Sequence, residues 1–222
     1  MGAVLAPSAA KARPCENDAI THLFDGYRNF DSNTTGAKGN LRDRHAALCV
    51  NTTYSETSAS GAWIMLSGYY GDEHAQIGFF QRSGMDGEQM FTEWARQGDW
   101  DRKKHYGIFN AGTVHGYRAE YVFESGKAEM RMGGSLYDST PFDPALNWAS
   151  PWHAFFSGET WDRGDDMPGT PQNKTHFTQT QVRTCRGCSY HEAGTHTFYI
   201  DNYDYDFQWV DEPTDFNIWT KG

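Results

Sequence analysis

Val114-His-Gly-Tyr-Arg-Ala-Glu-Tyr-Val-Phe-Glu124 alternates with a period of two. Tyr117, Ala119, Tyr121 and Phe123 share one side, and Arg118, Glu120 and Glu124 share the other. Successive side chains of a pleated chain point to opposite faces, so this is a half-buried strand. Ser125-Gly126 supplies a turn, and Lys127–Met132 reads as the hairpin partner. Working outward, Ala62–Ser67 reads as a buried strand. Asp72-Glu73 turns the chain into a second, His74–Gln81, and Met90–Ala95 offers a third. Trp152–Trp161, Thr175–Val182 and Thr195–Ile200 follow the same style. Helical periodicity is almost absent; Gly87–Gln97 alone could form a short helix. Many short strands joined by Gly- and Asp-rich turns predict an all-β protein, an antiparallel sandwich or barrel with little helix.

Residues 13–60 are polar and rich in Asn, Thr, Gly and Ser, and the strand-like pattern begins at Gly61. The loop Asp162–Asn173 holds three Asp, two Pro and two Gly, and reads as an ordered surface loop. No repeat or linker divides the chain, so 13–222 is expected to form one domain. Sequons occur at Asn51 and Asn173. Ala3–Ala12 is short, Ala-rich and ends in Ala-Lys-Ala, like the tail of a secretory signal peptide. Residues 1–12 are therefore set apart from the fold, and a secreted protein is expected.

With 19 basic and 29 acidic residues, the formal net charge is −10. A nucleic-acid binder needs a basic surface to displace counterions, and a polybasic membrane anchor needs the same sign of charge. Neither is expected, and no apolar run approaches the ~18 residues of a membrane helix. Aromatic residues make up 15% of the chain, which excludes disorder, since disordered chains are poor in them.

The four cysteines, Cys15, Cys49, Cys185 and Cys188, allow three pairings. In an exported chain an even count favours two disulfides. The preferred pairing is Cys15–Cys49, tying the N-terminal arm to the body, with Cys185–Cys188 clipping a tight turn. A redox site would want a strand before the Cys-x-x-Cys and a helix after it, but Ser-Tyr-His-Glu-Ala-Gly follows. Zinc would want a second close pair, and there is none.

One set of segments carries chemistry: Trp63-Ile-Met-Leu-Ser, then Gln76-Ile-Gly78, then Phe91-Thr-Glu-Trp94, and Glu159 in Phe155-Phe-Ser-Gly-Glu-Thr, 83 residues beyond Gln76. Pro168-Gly-Thr and Thr175-His-Phe-Thr178 come after. In order and spacing this resembles the eqolisin-type glutamic peptidases over roughly residues 61–182. The resemblance implies a concanavalin-like β-sandwich of jelly-roll form and a monomeric, secreted endopeptidase that acts on polypeptide with no metal or cofactor. It assigns Gln76 and Glu159 as the catalytic dyad, and Trp63, Glu93, Trp94 and Trp161 as candidate substrate-binding residues. The chain departs from the family pattern in the Ser-Gly-Glu-Thr-Trp setting of Glu159, in residues 183–222 and in the N-terminal arm. A more distant resemblance, to neprosin-like glutamic peptidases, implies two glutamates, with Glu93 or Glu73 in place of Gln76.

The chemistry of the two residue types agrees. Hydrolysis without a metal or a Ser/Cys nucleophile needs a carboxylate to take a proton from water and a donor for the developing oxyanion. A glutamate supplies the first and a glutamine amide the second. Gln76 shares strand parity with His74, Gly78 and Phe80, and Glu159 with His153, Phe155 and Ser157, so both could line one concave sheet. Acidic pH is expected to suit the reaction, because the leaving amine must be protonated.

Other patterns are weaker. His191-Glu-Ala-Gly-Thr-His196 is one residue too long for a zinc-binding helix. Asp201–Asp206 places Asp204 and Asp206 on one strand face, as solvated edge carboxylates or calcium ligands. Neither a nucleophile elbow nor a phosphate loop is present. The competing function is a carbohydrate-binding, lectin-like module, with Trp148, Trp152 and Trp161 beside Asp162, Asp165 and Asp166. A catalytically inactive domain on the peptidase scaffold is a third reading.

Overall fold

A computed structural model describes residues 14–15, 22–31, 33–50, 58–85, 87–97 and 103–221. The expected leader, 1–12, and the Asn51 sequon lie outside the described residues. In chain order the strands are β1 (Leu23–Asn29), β2 (Gly36–Arg42), β3 (Ala59–Ser67), β4 (His74–Arg82) and β5 (Glu88–Ala95). β6 (Lys104–Phe109), β7 (Val114–Val122), β8 (Lys127–Met132), β9 (Ser135–Ser139) and β10 (His153–Thr160) follow. The last are β11 (Gly169–Thr170), β12 (Asn173–Arg183), β13 (His196–Ile200), β14 (Tyr205–Asp211) and β15 (Asp215–Thr220). One short helix, α1 (Pro144–Asn147), is capped by the Asp143 carboxylate.

Two antiparallel sheets stack as a sandwich. The first runs β13-β1-β10-β3-β4-β5-β6, and the second β14-β15-β12-β2-β7-β8-β9, with β11 paired to β12. The alternation of β7 is realised: Tyr117, Ala119 and Tyr121 are buried between the sheets. Against them lie Ile64 and Leu66 of β3, Ile77 and Phe79 of β4, and Phe156 of β10. Tyr27 stacks on Phe156 at 4.8 Å, and Phe177 on Phe216 at 4.4 Å. Such offset rings give the core both area and orientation.

Three expectations are corrected. Of the two readings of this segment, the Gly87–Gln97 helix fails and the Met90–Ala95 strand holds, as part of β5: Met90, Thr92 and Trp94 point into the core while Phe91 and Glu93 point away. Pairing with β4 along the whole strand overrides the helix propensity of its Glu, Gln and Met. The polar tract 13–60 holds β1 and β2, each internal to its sheet. Asp204 and Asp206 do not share a strand face, since Asp204 lies in the turn before β14. β14 is nevertheless an edge strand.

Both preferred disulfides are present. Cys15–Cys49 sits beside a bridge between Pro14 and Val50. The loop 162–173 is tied inward by Asp165, whose carboxylate accepts from the Cys49 and Ala59 N–H groups and from the Ser58 hydroxyl. Burial still lifts the Asp165 carboxyl to about 6.

Close strand approach fixes one glycine beneath the outer face of the first sheet. A Cβ on Gly78 would lie 2.1 Å from the Ala62 carbonyl oxygen and 2.8 Å from the Trp63 Cβ. Backbone cannot yield cheaply at such distances. Gly78→Ala is expected to cost about 3 kcal/mol, or roughly 6–12 °C in Tm, measured by thermal unfolding. An unchanged Tm would show that β3 and β4 can separate freely here.

Candidate active site

The outward face of the first sheet carries a cavity of about 840 Å³. Its floor follows from register. Arg28, Phe155, Met65, Gln76 and Glu93 form one cross-strand row over β1, β10, β3, β4 and β5. Ser157, Trp63, Gly78 and Phe91 form the next row, and Phe24, Glu159, Gly61 and Phe80 a third. Trp63, Met65, Phe80 and Phe91 make an apolar cluster separate from the main core, with Phe24 and Phe155 against it. The cleft is therefore aromatic, with a few polar groups set into it, as ligand sites commonly are.

Gln76 and Glu159 share this face and this cavity, as parity requires. They are set diagonally: Gln76 is in row with Phe155, four residues before Glu159 on β10. Four residues amount to roughly 13 Å along a strand. Trp63 stands in the row between them, and its indole N–H donates to Glu159 Oε2 at 2.9 Å. The other carboxylate oxygen, Oε1, is bound by Nδ1 of His22, just before β1.

Gln76 is held from the opposite side. Its Nε2 donates to Glu93 Oε2 at 2.9 Å, and Lys103 Nζ reaches the same oxygen at 2.8 Å. The Lys103 ammonium also sits 4.5 Å from the centre of the Trp161 ring. Gln76 and Glu93 are both buried. A carboxylate acceptor fixes which end of the amide is nitrogen, so one N–H is committed to Glu93 and the other remains available.

Of the expected substrate-binding residues, Trp63, Glu93 and Trp161 line the cavity. Trp94 does not: it lies in the inter-sheet core, edge-on to Phe142 at 5.5 Å. Alternation dictates this, because Glu93 faces the cleft and its neighbour must face inward. Glu73 is also elsewhere, buried and accepting from the Ala149 N–H. The proposed sugar site does not assemble: Trp148 and Trp152 pack on each other in the core at 5.4 Å, and Asp162 and Asp165 are buried. His196 of the His-Glu-x-x-x-His stretch bonds Glu212 at 2.8 Å and packs edge-on against Trp209.

Sequence reasoning missed His22, Arg28 and Lys103. They come from the N-terminal arm and the β5–β6 connection, which no local pattern ties to Gln76 or Glu159.

The Glu159 hydrogen bond raises the His22 imidazole above its ordinary 6.5, while burial works the other way. A histidine NMR titration is expected to find His22 above 6.5 in the wild type and lower in Glu159→Gln. The same titration midpoint in both proteins would mean the two side chains are not coupled in solution.

No family model matches the chain, and no curated protein matches it. Solved structures do. Scytalido-glutamic peptidase, crystallised with a peptide-based transition state analog, aligns with a TM-score of 0.65 at 11% identity. The alignment covers 91% of this chain and 100% of that one. The fold is that of a glutamic peptidase. SCP-B, a member of the eqolisin family of peptidases in complex with the tripeptide Ala-Ile-His, aligns with a TM-score of 0.65 at 10% identity, with the same coverage. At such identity the likeness to these glutamic peptidases concerns architecture, and the chemistry must be argued from the side chains.

Proposed function

We propose that the protein is a secreted glutamic-type endopeptidase in which Glu159 and Gln76 hydrolyse peptide bonds with an activated water. One observation carries this reading: an acid and an amide face one aromatic cleft, and each is oriented by its own partners. His22 and Trp63 fix the Glu159 carboxylate, while Glu93, itself paired with Lys103, fixes the Gln76 amide.

The steps follow from those roles. Glu159 takes a proton from water as the water oxygen attacks the scissile carbonyl carbon. The free N–H of Gln76 donates to the oxygen that gains negative charge. Glu159 then returns its proton to the amide nitrogen, the C–N bond breaks, and the amine leaves neutral. Because the two residues stand two strands and four residues apart, the carboxyl and the amide must converge over the Trp63 row on one substrate carbonyl, and the rate gain arises once both reach it. The mechanism needs no metal or cofactor, and a monomer suffices.

The test is cleavage of a denatured protein at acidic pH, followed by mass spectrometry of the products. Internal cuts that depend on Glu159 are expected. Background-level cleavage by the wild type would end this reading.

A further inference from the structure

We infer that Arg28 makes one end of the cleft a subsite for a substrate carboxylate. This deepens the peptidase reading and rests on it for the identity of the substrate.

Arg28 lies on β1 in the same cross-strand row as Gln76, and its guanidinium lines the cavity. The group is held between two rings, 4.8 Å from the centre of Phe30 and 4.9 Å from that of Phe155. One terminal nitrogen donates to the Tyr69 carbonyl at 3.1 Å. The Nε–H is buried and has no acceptor. Among the described residues no carboxylate stands within ion-pair distance of Arg28. Four other arginines do reach acids: Arg118 and Arg183 reach Glu120, Arg131 reaches Glu129, and Arg186 reaches Glu124.

The other lysine or arginine of the cleft, Lys103, is neutralised by Glu93. Arg28 is thus a partly buried cation, its Nε–H occluded and no carboxylate beside it. A buried donor left unmade costs roughly 1–3 kcal/mol, and a charged one more. A guanidinium stays charged even where burial disfavours it. Two rings flank the guanidinium, and its edge, a planar fork, matches a carboxylate in two-pronged fashion. The ligand chemistry is therefore a carboxylate from a peptide, either an acidic side chain or the chain terminus.

Position sets its place on the substrate. Arg28 and Gln76 are three strand spacings apart, roughly 14 Å. An extended chain advances ~3.3 Å per residue, and the arginine side chain takes up part of the gap. The carboxylate then lies about two to four residues from the scissile bond.

The experiment uses a peptide series with a single glutamate, or glutamine in its place, walked along the sequence, each with a free or amidated C-terminus. Cleavage by the wild type is measured at about pH 5.5, where a glutamate side chain is ionised. Equilibrium binding to Glu159→Gln is measured in parallel. At one position glutamate is expected to exceed glutamine by about tenfold or more in kcat/KM, the scale of a charged hydrogen bond. Arg28→Gln is expected to bring that ratio near one, and Arg28→Lys to leave it intermediate. A preference that follows the free terminus instead assigns the subsite to the chain end.

Wild-type cleavage with no carboxylate preference at any position overturns the inference and leaves the peptidase reading standing. A preference that survives in Arg28→Gln overturns it too. Selective carboxylate binding without any cleavage keeps the subsite and removes the peptidase reading. Should Arg28→Gln not fold, the wild-type series and Arg28→Lys carry the same comparison.

Discussion

Glu159→Gln is expected to lower the acid-pH cleavage rate by about 10³-fold, within the range that a positioned general base supplies. The substitution keeps the size of the side chain. It keeps an oxygen for the Trp63 indole N–H but loses the ability to accept and return a proton. Gln76→Ala is expected to lose roughly 10²–10³-fold, the usual scale for one oxyanion donor. The comparison is made under single-turnover conditions with one peptide, so that binding and chemistry separate. Because the two residues serve one transition state, the double variant should lose far less than the product of the single losses. Wild-type cleavage that persists undiminished in Glu159→Gln would place the chemistry elsewhere.

The second large effect concerns stability. Glu88 opens β5 and Asp43 follows β2, so this acidic pair bridges the two sheets, and both side chains are fully buried. As carboxylates, none of their four oxygens has a hydrogen-bond donor. Burial, with Asp43 beside it, lifts Glu88 to about 8, and the protonated Glu88 donates to Asp43. His45 stands 3.2 Å from Glu88, and Arg44 is the cation that partly opposes the lift.

The sign follows from proton counting. Between the ordinary carboxyl value near 4.5 and about 8, the folded chain holds a proton that the unfolded chain has lost. Stability is then greatest at and below the lower value and falls as pH rises toward the upper one, by roughly 1.4 kcal/mol per pH unit for one proton. Asp165, at about 6, and Asp25, pushed well up by burial, act in the same direction. Glu88→Gln supplies a permanently neutral donor. Urea unfolding at pH 5 and pH 8 is expected to show a wild type that weakens between them and a variant that weakens less. Parallel pH slopes for the two proteins would remove Glu88 from this account.

Strands whose own side chains announce two faces were legible from sequence: β7 by its alternation, β3, β4 and β10 by unbroken apolar or aromatic runs. β2 was not. Gly36-Ala-Lys-Gly-Asn-Leu-Arg42 has little β propensity, yet Ala37, Gly39 and Leu41 turn inward and its backbone is paired on both sides. Neighbours made it a strand, and neighbours are not visible in a window of seven residues. The same asymmetry governs the site. Gln76, Glu93 and Glu159 could be placed by parity on strands already recognised. Trp94 failed the parity that Glu93 satisfied, so the information to reject it was present. His22, Arg28 and Lys103 reach the cleft through contacts with distant segments, and spacing carries no trace of those.

The paths of β1 and β2 bear on how this molecule is made. The two strands are close in sequence but enter opposite sheets. β1 pairs with β10 and β13, and β2 with β7 and β12. A growing chain therefore leaves β2 without its second partner until residues near 183 have emerged, and β1 until residues near 200 have. Each pairing closes a very long loop, whose entropy must be overcome before any contact rewards it. Meanwhile Tyr27 and Leu41, fully buried at the end, stay open to solvent and to other chains. The topology that builds the cleft thus also dictates a late, slow collapse of these two strands.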